Sequence, residues 1–343
     1  MPRVTRMLSL MLSTCLTGAS LTASAPAFAQ AVPEARRPQP QDDAPGCRML
    51  PRGSVHSWLV TESVYQNEEL AFDGKGLLIA KKGEALVAVP AFGPTRVISR
   101  DARLATLSLG LRVLPSGDVL VAQPAVAEGL TAKLLRVRPD GTVSEFFTAA
   151  SMPPGLPPFI IPNGLDVDAG GNAWVSDVAT SQLLRISANG TPSSIAVGAE
   201  AQGVSGLVFD DARSTLFYTG APNGTVRRVR VDASGRPVGP PEVVTVLQGT
   251  RLDGLTQDRC GNLYVVDSDP ARKRFRLLRV DLDAGGAAVG GPTVLATFDD
   301  QVSGVQFGAG PGYDASSVYV SGIWGKVFQV PVGAKGAPRF SAP

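Results

Sequence analysis

The sequence predicts an all-β protein, a six-bladed β-propeller built from four-stranded antiparallel blades. A strand–turn–strand unit recurs six times along the chain, at intervals of roughly forty to fifty-five residues, a period typical of propeller blades. Short apolar runs alternate with turn residues, and none of them has a helical hydrophobic period. The 38 Gly and 28 Pro residues lie between these runs, as a turn-rich β protein requires.

The clearest copy of the unit is PNGLDVDAGGNAWVSD, from Pro162 to Asp177. An alternating strand is followed by a Gly-Gly-Asn turn and a second apolar strand, which is the pattern of a β-hairpin. Its DVDAGGN stretch also resembles a calcium-binding loop, but Gly170 stands where an oxygen ligand belongs, so we interpret it as a turn. One position opens every unit, just before a Gly or a Glu, and is occupied in turn by Glu68, Leu109, Asn163, Ser205, Asp253 and Ser303.

Each unit supplies candidates for four short strands, which together predict a propeller over residues 53–343. The first unit contains LAF, LLIA, ALVAV and TRVIS, separated by Gly-containing turns. The apolar run from Trp58 to Val60 precedes the first unit. It is a candidate for the strand that completes the last blade and closes the ring.

The first 29 residues are predicted to be a signal peptide. Arg3 and Arg6 precede an apolar run, and Ala27-Phe28-Ala29 forms a cleavage motif. A lipoprotein anchored at Cys15 is the alternative. Residues 30–52 are Pro-rich and polar and predict a linker. We therefore expect a secreted or periplasmic protein after cleavage near Ala29, without a membrane span, because later apolar runs are too short.

Cleavage leaves Cys47 and Cys260, and two thiols in an exported chain are expected to form a disulfide. Two free thiols are the alternative. The 32 basic residues nearly balance the 30 acidic ones, which argues against binding to nucleic acid or to an anionic membrane. We expect a monomer whose partner is a small molecule.

The repeats resemble the SMP-30/gluconolactonase/LRE superfamily of six-bladed propellers, and more loosely the NHL-repeat group, from about Glu68 to Pro331. The resemblance implies a divalent cation, usually calcium, at one mouth of the central channel. By position it assigns Glu68, Asn163 and Asp253 as metal ligands, and Asp253 also as the residue that transfers a proton. Leu109 departs from the family pattern, which often has Asn in the second blade, and the blade of Ser205 separates Asn163 from Asp253.

The residue chemistry supports the same site independently. Two carboxylates and an amide oxygen on alternating blades suit calcium, with magnesium or another divalent ion possible, rather than zinc or copper. Leu109, Ser205 and Ser303 are candidate channel-lining residues, and the two Ser hydroxyls could complete the coordination. Asp and Asn that merely stabilise turns before Gly are the alternative.

The single His, His56, argues against a Ser-His-Asp triad. The leading hypothesis for function is therefore a calcium-dependent lactone or ester hydrolase. The competing hypothesis is a non-catalytic propeller that binds a ligand or a protein and holds at most a structural calcium.

Overall fold

The structure is a computed structural model that describes residues 47, 50, 57–61, 64 and 67–338. The predicted signal peptide and most of the predicted linker lie outside the described residues. Two residues of that linker segment are described, and both contact the propeller. Cys47 is disulfide-bonded to Cys260, and the amide of Leu50 donates to the carbonyl of Val332 at 3.3 Å.

The described residues form six antiparallel sheets of four strands each. The first strand of the described residues is β1 (Trp58–Thr61). Blade 1 contains β2 (Ala71–Phe72), β3 (Leu77–Lys82), β4 (Ala85–Pro90) and β5 (Arg96–Ser99). Blade 2 contains β6 (Leu111–Val113), β7 (Val119–Gln123), β8 (Lys133–Val137) and β9 (Val143–Thr148). Blade 3 contains β10 (Pro162–Val167), β11 (Ala173–Asp177), β12 (Gln182–Ile186) and β13 (Pro192–Val197).

Blades 4 to 6 repeat this order. Blade 4 contains β14 (Val204–Asp210), β15 (Thr215–Gly220), β16 (Thr225–Arg230) and β17 (Glu242–Val246). Blade 5 contains β18 (Leu252–Gln257), β19 (Leu263–Asp269), β20 (Arg274–Val280) and β21 (Thr293–Phe298), and blade 6 starts with β22 (Val302–Phe307), β23 (Ser317–Gly322) and β24 (Val327–Pro331). Short 3-10 helices lie at Ala102–Leu104, Ala149–Ser151, Gly198–Ala201, Ala221–Asn223 and Pro270–Arg272.

The ring is closed by the strand that precedes the first repeat. β1 pairs antiparallel with β24, with Trp58 opposite Gln329, and is the outermost strand of blade 6. The six-bladed propeller predicted from the repeats is confirmed, and so is its closure by the N-terminal strand.

The hydrophobic core consists of six clusters of buried side chains, one between each pair of neighbouring blades. Between blades 3 and 4, for example, Trp174 stacks on Phe209 with 4.4 Å between ring centroids, and Leu207 and Tyr218 are in the same cluster. Alternate residues of each strand face opposite neighbours. This double burial explains why the strands are apolar on both faces.

The inner strands approach one another so closely that glycine is required where they begin. A Cβ atom on Gly110 would lie 2.6 Å from the carbonyl oxygen of Asn163, and one on Gly304 would lie 2.8 Å from that of Glu68. Gly164, Gly206 and Gly254 are equally crowded by the next blade. The first blade carries Glu69 at the equivalent position.

The turn between the first two strands of blade 3 is built on an Asp side chain. In blade 3, Asp168 Oδ1 accepts hydrogen bonds from the amides of Gly170 and Asn172 at 3.0 and 2.9 Å, and the Asn172 side chain also donates to Asp168. Both donors belong to the turn itself. The DVDAGGN stretch therefore forms a turn, as the sequence indicated.

Candidate functional site

The residues that open the six repeats lie at one end of the propeller. Asn163, Ser205, Asp253 and Ser303 are each the second residue of an inner strand, while Glu68 lies shortly before β2 and Leu109 shortly before β6. In every repeat the first strand is the inner strand of the blade. The six inner strands therefore run in the same direction along the axis of the ring and begin at the same end. We call this end the mouth.

Four of these side chains form one hydrogen-bonded chain at the mouth. Asn163 Nδ2 donates to Glu68 Oε1 at 3.4 Å, and Asn163 Oδ1 lies 3.3 Å from the Ser205 hydroxyl. That hydroxyl makes its shorter hydrogen bond, 2.8 Å, to Asp253 Oδ1. Glu68, Asn163 and Asp253 are partly exposed, and Ser205 is buried. The structure thus brings together the three residues predicted to bind a metal.

The two carboxyl groups of the mouth disfavour each other's ionisation. Burial and then the charge of Asp253 hold the pKa of Glu68 well above its usual range. Burial also raises the pKa of Asp253 to about 6, although the hydrogen bond from Ser205 and the charge of Arg251 act in the opposite direction. Two crowded carboxylates would be relieved by a cation between them.

Two of the six opening residues contribute no polar group to this chain. The hydroxyl of Ser303 donates to the main-chain carbonyl of Glu68 at 2.6 Å, so it holds the main chain at Glu68. Leu109 is 3% exposed, and its amide donates to the carbonyl of Ala122 at 3.0 Å. That Leu109 and Ser303 line the channel stays a prediction.

A buried charged cluster beside the mouth was not found by sequence reasoning. Arg112 Nη1 donates to the Glu69 carboxylate, and Arg112 Nε lies 3.3 Å from Asp166 Oδ1. These three side chains are almost fully buried. Burial outweighs the pairing with Arg112, so the pKa of Glu69 rises to about 7. The signal in the sequence was Glu69 itself, which replaces the Gly of the other five repeats.

The mouth residues suit a hard divalent cation. Two carboxylates, one amide oxygen and one hydroxyl converge there, and oxygen donors of this kind are preferred by calcium and magnesium. Among the described residues, no cluster of three or more His, Cys, Asp or Glu side chains is arranged to hold a metal. The set therefore relies on Asn163, and it lacks the nitrogen and sulfur ligands that favour zinc.

A cavity of about 720 Å³ lies at the other end of the inner strands. Its walls include Asp210 at the end of β14, the turn after β18, the Cys47–Cys260 disulfide, and Pro338. The disulfide predicted from the sequence is thus present, and it ties an N-terminal residue to blade 5. Because Glu68 and Asp253 lie at the opposite end of these strands, this cavity is separate from the mouth.

No protein-family model matches this sequence, and a search of curated proteins finds no match. Solved structures do match. A gluconolactonase from Xanthomonas campestris is 15% identical with a TM-score of 0.62, covering 82% of this chain and 90% of that one. A luciferin-regenerating enzyme is 16% identical with a TM-score of 0.61 (83% and 100% covered).

A third match is a regucalcin from Agrobacterium tumefaciens, described as a calcium-binding protein. It is 16% identical with a TM-score of 0.60, covering 82% of this chain and 96% of that one. At such low identity these similarities show the fold alone. The chain has the six-bladed fold of the SMP-30/gluconolactonase-like propellers, and the resemblance in fold inferred from the repeats is confirmed.

Proposed function

We propose that this protein is a calcium-dependent hydrolase of lactones or esters, with its site at the mouth. The observation that carries the proposal is the hydrogen-bonded chain from Glu68 through Asn163 and Ser205 to Asp253. The similarity of the fold to a gluconolactonase and to a calcium-binding regucalcin supports the same assignment.

Glu68, Asn163 and Asp253 would hold the cation, with the Ser205 hydroxyl beside them. When bound, a divalent cation supplies Lewis acidity that polarises a lactone or ester carbonyl. The raised pKa of Glu68 means that its carboxyl must give up a proton before it can act as a ligand. Cation binding is therefore expected to strengthen as pH rises.

Asp253 is the proposed proton-transfer residue. Burial raises its pKa to about 6 in the metal-free protein, so at neutral pH it is largely a carboxylate, the form that takes a proton from a water molecule as a general base. The hydrogen bond from Ser205 to Oδ1 fixes one oxygen and leaves Oδ2 for the water or for the leaving oxygen. When the C–O bond to the leaving group breaks, the same carboxyl gives this proton to the leaving oxygen.

A non-catalytic binding propeller is the second candidate function. It is favoured because two of the six opening positions supply no polar group to the site: Leu109 is apolar, and the Ser303 hydroxyl donates to the main-chain carbonyl of Glu68. In that case the same cluster would hold a structural calcium or a ligand without turnover.

Calcium titration by calorimetry of chelator-stripped protein tests the proposal, with Asp253→Ala alongside and Asp232→Ala, an exposed turn residue, as the control. We expect micromolar or tighter binding that is lost only in Asp253→Ala. A panel of lactones and esters then separates hydrolase from binding propeller. Absence of calcium, magnesium and manganese binding in the wild type would contradict the metal site.

We also propose that the protein is secreted or periplasmic. The Cys47–Cys260 disulfide supports this, because such bonds persist in oxidising compartments. No helix in the described part of the chain is long and apolar enough to cross a membrane. N-terminal sequencing of the exported protein would test the predicted cleavage near Ala29.

A further inference from the structure

Glu68 is held differently from the other polar residues of the mouth. Asn163, Ser205 and Asp253 lie inside inner strands, each at a pairing irregularity that is flanked on both sides by residues paired with the next strand. Glu68 lies before β2, which contains only Ala71 and Phe72. Contacts other than strand pairing must therefore set the direction of the Glu68 carboxylate.

Contacts from two sides act on Glu68 and on the residue before it. The hydroxyls of Ser303 and Ser321 both donate to the Glu68 carbonyl oxygen at 2.6 Å. The preceding side chain, Asn67, is fully buried, and its Oδ1 accepts the amide hydrogen of Lys81 at 2.9 Å. Blade 6 thus holds Glu68 itself, and β3 holds the residue before it.

The third contact acts on the residue after Glu68. Arg112 donates through Nη1 to the Glu69 carboxylate and to the Leu111 carbonyl oxygen, the latter at 2.6 Å. Arg112 is 4% exposed and Glu69 is 6% exposed. A buried ion pair is seldom more stable than the apolar packing it replaces. A gain in stability therefore does not explain why Glu69 occupies the position that is Gly in the other five blades.

We propose that Arg112 is a positioning residue for the mouth, acting through Glu69. One peptide unit joins Glu68 to Glu69, so a contact that fixes the Glu69 side chain also restricts the main chain that carries Glu68. By holding Glu69 in the buried cluster with Asp166, Arg112 keeps Glu68 where its carboxyl meets Asn163. Without the guanidinium, the Glu69 carboxylate is buried and unpaired, so the segment shifts to hydrate it and moves Glu68 as well.

The first test is hydrogen exchange of the metal-free protein in the peptide that covers residues 67–70. We expect Arg112→Met and Glu69→Ala each to speed exchange there about tenfold, and Arg112→Lys to stay within about threefold of the wild type. The double variant is expected to exchange no faster than the faster single variant, because both act through one contact. Glu69→Ala keeps the test decisive if Arg112→Met does not fold.

Arg213→Met is the matched control. It removes another largely buried ion pair, between Arg213 and Asp210, at the far end of β14. We expect it to lower the melting temperature without changing exchange at residues 67–70. The role of Arg112 would be overturned if residues 67–70 exchanged at the wild-type rate in both Arg112→Met and Glu69→Ala. It would also be overturned if Arg213→Met accelerated exchange there by the same factor.

The second test is calcium affinity and rests on the proposed function. Supporting contacts of metal ligands typically change affinity by about 10–100-fold, so we expect Arg112→Met to raise the calcium Kd at least tenfold and Arg213→Met to leave it unchanged. An unchanged Kd in a folded Arg112→Met protein counts against the inference. Failure of the wild type to bind calcium counts against the proposed function, while the exchange experiment still decides the role of Arg112.

Discussion

The Ser205 hydroxyl donates to the Asp253 carboxylate across the boundary between blades 4 and 5, with 2.8 Å between Oγ and Oδ1. The two residues are 48 positions apart in sequence and occupy the same place in successive repeats. Their contact opposes the effect of burial on the pKa of Asp253. The pKa of Asp253 thus depends on a side chain from the neighbouring blade.

Substitution Ser205→Ala is expected to raise the pKa of Asp253 further, because a hydrogen bond to its charged form is lost. Calcium affinity at pH 6 should fall about tenfold, and the difference should shrink at pH 8, where Asp253 is ionised in both proteins. Calorimetric titration at the two pH values measures this. Ser234→Ala, in an exposed turn, is the control, and an equal loss at both pH values would contradict the explanation.

The contribution of Glu68 and Asp253 to the stability of the metal-free protein is expected to fall as pH rises from about 4 to above 6. Glu68 and Asp253 have raised pKa values in the folded state, so the folded protein binds more protons than the unfolded chain in this window. Their contribution is fully present below the unfolded pKa values and is lost as pH rises through the folded ones. Saturating calcium should remove or reverse this slope.

Thermal melts at pH 5 and 7.5, with and without calcium, measure the effect. For Asp253→Asn we expect the metal-free protein at pH 7.5 to melt roughly 3–6 °C above the wild type, since one of the two crowded charges is gone. The same variant should bind calcium at least tenfold more weakly. A metal-free melting temperature at or below that of the wild type would show that the carboxyls do not oppose each other.

Gly206→Ala is expected to disturb the mouth by pushing on the main chain of the neighbouring inner strand. The added Cβ would lie closer than 3.0 Å to the carbonyl oxygen of Asp253 and to the main chain of Gly254. We expect a loss of about 1–3 kcal/mol in the free energy of unfolding, and weaker calcium binding because Asp253 is displaced. Gly291→Ala is the matched control, since its Cβ would have no atom within 4 Å.

Removing the disulfide should affect stability but not the mouth. Cys47→Ala/Cys260→Ala is expected to lose roughly 2–5 kcal/mol in denaturant unfolding, and the wild type should lose a similar amount in reductant. The calcium Kd should remain unchanged, because the disulfide lies at the opposite end of the inner strands. A changed Kd would indicate that the two ends of the propeller are coupled.

The repeats were sufficient to predict the fold, because the strands and turns of each unit can be recognised in its own sequence. The same periodicity predicted that Glu68, Asn163 and Asp253 approach one another, since equivalent positions of a ring share one end of the axis. Their roles as ligands remain predictions. The direction of the Ser303 hydroxyl was not predictable, because it depends on a carbonyl oxygen 235 residues earlier in the chain.

The contact of Glu69 with Arg112 was equally hidden, since it joins two blades and follows no repeat. The sequence held one indication of this contact: Glu69 is a charged residue at a position that is Gly in the other five repeats. Side chains that break a repeat are therefore the ones whose partners need a structure to be identified.

The pairing of β1 with β24 has a consequence for how the protein is made. Blades 1 to 5 each use consecutive strands and can form while the chain is being synthesised, whereas β1 must wait until Val327–Pro331 have been produced. A chain truncated before Val327 keeps two unpaired strand edges, which are sites of aggregation and of recognition by proteases. Closure of the ring therefore depends on the presence of the last strand of blade 6.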